Sequence, residues 1–92
     1  MSDGPSYKIP EDVLAREVDG EMVLLNLETE QYFGLDGVGT NMLTRLTTVP
    51  EEQAIAALRT DYEVDEQTLR GDLSRLVSAL LDARLLRRVE GA

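Results

Sequence analysis

The first part of the chain alternates apolar and polar residues in the manner of β-strands. Residues 13–18 form one such run, residues 22–27 a second, and residues 31–35 a shorter third run of good β-formers. Asp19-Gly20, a dipeptide typical of two-residue hairpin turns, separates the first two runs. The sequence therefore predicts a three-stranded antiparallel meander. Apolar residues on both faces of the second run indicate either a central strand or a partly covered outer face.

Beyond residue 35 the apolar period changes from 2 to 3.6, which predicts helices. Asp36 is placed to cap a first helix, Thr48-Val49-Pro50-Glu51 reads as a capping box with proline in the first turn of a second, and Asp65-Glu66 opens the third and longest. The predicted core stripe of the third helix is Leu69, Leu73, Leu76 and Leu80. Val77 and Leu81 widen this stripe on one side, and Ala79 and Ala83 line the other side.

This order of elements predicts an α+β fold with a winged-helix-like arrangement, in which a three-stranded antiparallel N-terminal sheet precedes three helices. A length of 92 residues fits one domain. Residues 1–12, which hold Gly4, Pro5 and Pro10, are predicted to be a flexible segment. We expect the folded domain to span residues 13–88 and a polar tail to occupy residues 89–92.

Composition narrows the possible functions. The chain has no His and no Cys, so it lacks the commonest general base, the thiolate nucleophile and the usual zinc ligands. The paired carboxylates, such as Glu51-Glu52, stand at predicted helix starts or in a turn, where they have a structural role. We therefore expect no catalytic residues, no metal site and no cofactor.

Charge and hydropathy bear on partners and location. With 18 acidic and 9 basic side chains the net charge is −9, which disfavours binding to nucleic acid or to an anionic membrane. Met1 is not followed by a basic and then apolar signal segment, and no apolar run approaches the length of a membrane span. These features predict a cytoplasmic domain.

The third predicted strand is unusual for a strand at the edge of a sheet. Residues 31–35 contain no charge and no proline, the devices that usually prevent unwanted strand pairing, but they include two aromatic side chains. Tyr32 and Phe33 must point to opposite faces, so at least one of them fills the core. Either another part of the chain covers this edge or a partner adds a strand to it.

Several stretches resemble one known family. These are residues 13–20, 24–27 and 31–39, the last reading Gln-Tyr-Phe-Gly-Leu-Asp-Gly-Val-Gly, followed by the spaced apolar and acidic positions 69, 72–73 and 80–81. They resemble the family typified by pyrroloquinoline quinone biosynthesis protein D, PqqD, whose members are leader-recognition modules for ribosomally made peptides. The resemblance covers about residues 13–88.

The resemblance implies a binding site for a precursor's leader peptide. In such modules the leader joins the sheet antiparallel to the third strand and lies against the third helix. The implied edge residues are Glu30, Gln31, Tyr32, Phe33, Gly34 and Leu35, and the implied helix wall is Asp72, Leu73, Arg75, Leu76, Val77, Ala79 and Leu80. Either flank of the helix could face the leader: one flank would line the groove with Arg75 and Ala79, the other with Arg70 and Val77.

The resemblance also implies partners. A separate module of this size is similar to the discrete first half of the split lasso-peptide maturation protease, which delivers the leader to a separate cysteine-protease-type leader peptidase. A cyclase, the further partner that the resemblance implies, later closes the ring. The expected function is a non-catalytic adaptor, monomeric when peptide-bound. Three alternatives remain: a peptide chaperone of another modification pathway, a small winged-helix DNA-binding regulator with arginines on its last helix, and a dimer that pairs third strands.

Overall fold

The computed structural model describes residues 4–89. Its architecture is α+β, with a three-stranded antiparallel sheet ahead of three helices. The predicted meander and helix order are therefore confirmed. The elements are β1 (Ser6–Lys8), β2 (Val13–Val18), β3 (Glu21–Asn26), β4 (Tyr32–Leu35), α1 (Gly37–Leu46), α2 (Glu51–Asp61), α3 (Glu66–Asp82) and β5 (Arg87–Val89).

The central strand β3 fixes the two faces of the sheet. It pairs with β2 in a register that sets Leu14 opposite Leu25, and with β4 in a register that sets Leu25 opposite Tyr32. Leu24 and its inward-facing neighbours turn toward the helices, and Leu24 is fully buried. On the other face Val23 is half exposed. Of the two interpretations of the second run, the central strand is confirmed, and apolar side chains on the outer face of β3 are exposed to solvent.

Side-chain caps begin the first and third helices where the sequence predicts them, whereas the capping box predicted at residues 48–51 does not form, and α2 begins after Pro50 without a side-chain cap. The Asp36 carboxylate accepts a hydrogen bond from the Gly39 amide at 2.8 Å, and Asp65 accepts one from the Thr68 amide at 3.1 Å. Each satisfies an amide that has no partner within its helix. Asp36 comes directly after β4, so the cap also fixes where that strand ends.

The core stripe of α3 differs from the prediction at one position. Val77 is buried, whereas Leu76, predicted to be in the stripe, is only half buried. Both residues are apolar and both give helical spacings from Leu73 to Leu80, but one residue turns a helix by about 100°. The buried stripe is therefore Leu69, Leu73, Val77 and Leu80.

The prediction of a flexible segment over residues 1–12 is wrong for its described part. Strand β1 pairs antiparallel with β5, with Ser6 opposite Val89 and Tyr7 opposite Arg88. Tyr7 is buried, and its hydroxyl donates a hydrogen bond to Glu51 at 3.3 Å. Burial of this ring and the ladder to β5 offset the entropy lost on ordering the segment. Val89, the first residue of the predicted tail, belongs to β5, and residues 1–3 and 90–92 lie outside the described residues.

Candidate functional site

The edge strand β4 presents backbone groups that β3 does not use. The Asn26 amide donates to the Gln31 carbonyl at 2.8 Å, just before β4 begins. Because hydrogen-bonded and non-bonded pairs alternate in an antiparallel ladder, Phe33 and Leu35 face β3 with their amides and carbonyls. The amides and carbonyls of Tyr32 and Gly34 therefore point away from the sheet. Within residues 4–89, no strand pairs with this side of β4.

The four side chains of β4 divide between the two faces. Phe33 and Leu35 point inward: Leu35 is buried, and Phe33 is partly buried against the core. Tyr32 points outward and is 76% exposed. Gly34 shares its face, and a Cβ added there would meet no atom within 4 Å. The prediction that Tyr32 and Phe33 lie on opposite faces, with one ring in the core, is confirmed.

The free edge is shorter than the predicted stretch from Glu30 to Leu35. Glu30 lies in the turn with φ of +65°, and its amide donates to the Asn26 carbonyl at 2.8 Å. Gln31 directs its carbonyl at Asn26, and its amide donates to the Thr29 hydroxyl at 3.3 Å. The outward-facing backbone therefore begins at Tyr32.

Asn26 positions β4, and the sequence analysis did not single it out. Its side-chain oxygen accepts hydrogen bonds from the Glu28 and Thr29 amides at 2.9 and 3.0 Å, forming the turn that leads into β4. Its side-chain nitrogen donates to the Arg84 carbonyl at 2.9 Å, just beyond α3. Through these hydrogen bonds, the buried Asn26 side chain joins the start of β4 to the end of α3. An asparagine before a polar Glu-Thr-Glu segment is a known turn signal that could have identified it.

The residues of α3 that were expected to form a groove wall fall into two sets. Leu73, Val77 and Leu80 are buried in the core and are not available at the surface. Half-buried side chains follow one flank at spacings of four, three and four. They are Asp72, Leu76, Ala79 and Ala83. Arg75 lies on the exposed side of the helix and forms an ion pair with Asp72.

The opposite flank of α3 is occupied by other parts of the molecule. Arg70 makes two hydrogen bonds to the Glu52 carboxylate, at 2.7 and 2.9 Å, and one to Glu66 at 2.9 Å. Along this flank runs a cavity of about 300 Å³, which Tyr7 of β1 and Arg88 of β5 help to line. The β1–β5 pair thus adjoins the Arg70 flank, whereas the Leu76 flank lies on the other side of the helix.

Arginine side chains at the helices lower the pKa values of the carboxylates they contact. A hydrogen bond from the Arg70 guanidinium lowers the pKa of Glu52 below its ordinary value. Hydrogen bonds from Asn41 and Arg45 lower the pKa of Asp61 in the same way. Since these carboxylates are exposed to solvent, the pairs orient side chains and add little to stability.

Within residues 4–89, no three or more acidic side chains come together in a group able to hold a metal ion. In the same part of the chain, no helix has both the length and the apolar character needed to cross a membrane.

Comparisons with known proteins agree with this geometry. No curated protein sequence matches the chain. Among solved structures, TbiB1 in complex with the TbiA(beta) leader peptide is 37% identical, the match covering 87% of this chain and 94% of that one with a TM-score of 0.80. Lasso peptide synthetase B1 complexed with the leader peptide is 20% identical over 89% of this chain and 98% of that one, also at 0.80, which shows a shared fold.

The family model for coenzyme PQQ synthesis protein D (PqqD) matches residues 21–86. This range includes β3, β4 and all three helices, so it contains both the edge strand and α3. The match extends over more than half of the chain. The protein belongs to the PqqD family.

Proposed function

We propose that this chain is a non-catalytic adaptor that binds the leader peptide of a ribosomally synthesised precursor by strand addition to β4. We further propose that the precursor is a lasso peptide and that the adaptor delivers it to a separate cysteine-protease-type leader peptidase in the cytoplasm. Delivery of this kind accelerates cleavage by raising the effective concentration of the core peptide at the partner's active site.

The single observation that carries the proposal is the free side of β4. Two residues, Tyr32 and Gly34, offer an amide and a carbonyl each to an incoming strand, and β4 carries no charge that would repel it. Backbone hydrogen bonds of this kind give affinity, and pockets for alternate side chains give specificity. The likeness to TbiB1, itself solved with a leader peptide, supports the same assignment.

The flanks of α3 differ in what they can offer to a bound leader. A strand added to β4 would turn alternate side chains toward the same face as Phe33. The Arg70 flank is occupied by ion pairs and adjoins β1 and β5, so we assign the leader to the flank with Asp72, Leu76 and Ala79.

The test is an amide chemical-shift titration of the labelled protein with the leader peptide encoded beside it. We expect shifts concentrated at residues 32–35 and on the Leu76 flank of α3, with smaller shifts at Ser74 and Ser78 on the opposite flank. Shifts confined to that opposite flank would contradict the assigned geometry. No shifts at millimolar peptide would contradict leader binding itself.

A second candidate function rests on the family match. The matching family model is that of a coenzyme PQQ synthesis protein, so the bound precursor could belong to that or another peptide-modification pathway. Titration with a lasso precursor leader and with a quinone-cofactor precursor in parallel discriminates between them. The preferred peptide is expected to bind at least about tenfold more tightly, a difference of about 1.4 kcal/mol.

The DNA-binding alternative gains no support from α3. Arg70 pairs with Glu52 and Glu66, and Arg75 pairs with Asp72, so these guanidinium groups are already neutralised. The absence of a mobility shift with DNA at low salt would exclude it.

The dimer alternative is tested by the mass in solution with and without leader, for which we expect a monomer in the complex.

A further inference from the structure

The outer face of the sheet is apolar and uncovered in the described part of the chain. Its side chains come from alternate positions of all three strands, and several are largely exposed: Leu14 at 43%, Val18 at 62%, Val23 at 49% and Tyr32 at 76%. A shallow concavity of about 210 Å³ lies among Leu14, Val18, Val23 and the partly exposed Leu25, with Arg16 as its charged member. We call this set of side chains the outer sheet face.

An exposed apolar surface of this extent on a small domain usually marks an interaction site. The leader peptide does not account for it, because a strand added to β4 extends the sheet sideways and leaves its faces uncovered. The helices lie against the opposite face, where Leu24 and Leu35 are buried. A different partner is therefore required to remove Leu14 and Val23 from water.

Charge around the outer sheet face restricts what that partner can be. Residues 13–35 hold one cation, Arg16, which belongs to this face, and five carboxylates, of which the one in β2 turns to the opposite face and the other four stand in and beside the two turns. They are Glu17, Asp19, Glu21, Glu28 and Glu30. A second copy of this chain would bring like charges together, at a cost to association. A lipid surface or nucleic acid would be repelled for the same reason.

We propose that the outer sheet face is the docking surface for the separate leader peptidase, an inference that rests on the function proposed above. The matching surface on the peptidase is an apolar patch rimmed by Lys and Arg, with an acceptor or aromatic ring opposite Arg16. Tyr32 belongs to this face with its side chain and to the leader-binding edge with its backbone. The docked peptidase therefore also touches outward side chains of the added leader strand, so leader and peptidase bind cooperatively.

The experiment measures two affinities for each variant: that for the labelled leader peptide and that for the purified cysteine peptidase encoded beside this chain, with and without leader. The double variant Leu14→Ser/Val23→Ser removes apolar surface from the face but leaves the β4 edge intact. Val38→Ser, at a comparably exposed apolar residue of α1, is the matched control. Val18→Ser provides a milder second variant at the end of β2.

We expect the double variant to bind peptidase at least about tenfold more weakly and leader within about twofold of the native chain, with Val38→Ser unchanged in both. Retained leader affinity also reports that the variant is folded. Peptidase affinity within twofold of native, or no peptidase binding by the native chain, would overturn the docking surface while leaving leader binding intact. A native dimer in light scattering that the double variant makes monomeric would overturn it in favour of a second copy. Loss of leader binding by the native chain would instead contradict the proposed function.

Discussion

The two edges of the three-stranded sheet are built on opposite principles. Strand β2 is the longer one, and it carries Arg16 and Glu17 along its exposed length. Strand β4 is short and uncharged. By the same alternation that frees Tyr32 and Gly34 on β4, the amides of Ala15 and Glu17 point outward from β2. Both edges thus offer backbone donors, but only β2 has charged side chains beside them.

The difference shows how one small sheet can be open to a partner at one side without polymerising. Charged side chains on an edge strand oppose pairing, because a docked strand would have to desolvate or match them. At β4 that protection is missing, and the strand is instead held in place at both ends, by Asn26 before it and the Asp36 cap after it. A fixed strand loses little entropy when it acquires a partner.

The largest effect is expected when a proline is placed on β4, and the same substitution on β2 serves as its comparison. Tyr32→Pro removes an outward amide and places a ring where the leader strand should lie, so we expect leader affinity to fall by about 2 kcal/mol, roughly thirtyfold. Ala15→Pro removes the corresponding amide of β2 and should change affinity less than about twofold. Fluorescence anisotropy with labelled leader peptide measures both.

Tyr32→Ala separates the amide of this residue from its ring. It retains the outward N–H and should preserve most of the affinity for free leader. Circular dichroism melts establish that each variant is folded. Equal losses from the two proline variants would show that β4 is not the preferred edge.

A second effect concerns the anchoring of β4 alone. Asn26→Ala removes three hydrogen bonds made by a buried side chain, including the one to the Arg84 carbonyl, so we expect the free energy of unfolding to drop by about 1–3 kcal/mol. Urea denaturation measures this change, and hydrogen exchange should show faster opening at Phe33 than at Arg16, whose amides face β3. Glu28→Ala, at an exposed position of the same turn, is the control, because it keeps the backbone amide that donates to Asn26. Equal acceleration in both strands would mean that Asn26 stabilises the whole sheet.

A third variant makes the edges alike. Arg16→Val/Glu17→Val gives β2 the uncharged character of β4, and we expect concentration-dependent self-association, seen as a rising mass in light scattering. The matched double variant Arg16→Lys/Glu17→Asp keeps both charges and should remain monomeric at the same concentrations. If the valine variant were also monomeric, charge would not be what protects β2.

The smallest effect is expected on the closed flank of α3. Arg70→Gln removes the guanidinium that lowers the pKa of Glu52, so the carboxyl pKa should rise to its ordinary range in an NMR titration. A lowered pKa stabilises the fold above the unfolded value of about 4.3 and loses that contribution as pH falls. The small stability difference between native chain and variant should therefore be present at pH 7 and be lost as the pH falls through the lowered pKa of Glu52 in the folded chain. Leader affinity should not change, since the flank with Leu76 is untouched.

Local patterns were sufficient to predict much of the fold. The change of apolar period near residue 35 separates strands from helices, and the carboxylates of Asp36 and Asp65 predict where two helices begin. The alternation of Tyr32 and Phe33 predicts one buried and one exposed ring. Each of these features depends on residues within a few positions of one another, which is why the sequence reveals them.

Features that depend on distant residues could not be predicted in this way. The β1–β5 pair joins three-residue segments from opposite ends of the chain, too short to have a recognisable period. The role of Asn26 depends on a carbonyl 58 residues further along the chain. The choice between Leu76 and Val77 for the core depends on how α3 is rotated against the sheet, and both residues are apolar enough for either position.

The pairing of β1 with β5 has a practical consequence for engineering. Ser6 lies opposite Val89, so any segment attached before β1 or after β5 leaves the domain at nearly the same point, beside the Arg70 flank of α3. A reporter or enzyme fused to either end is tethered from one common corner, and a short peptide linker is enough to join the two ends. Such proximity favours circular permutation, with new ends at the exposed Asp19-Gly20 turn.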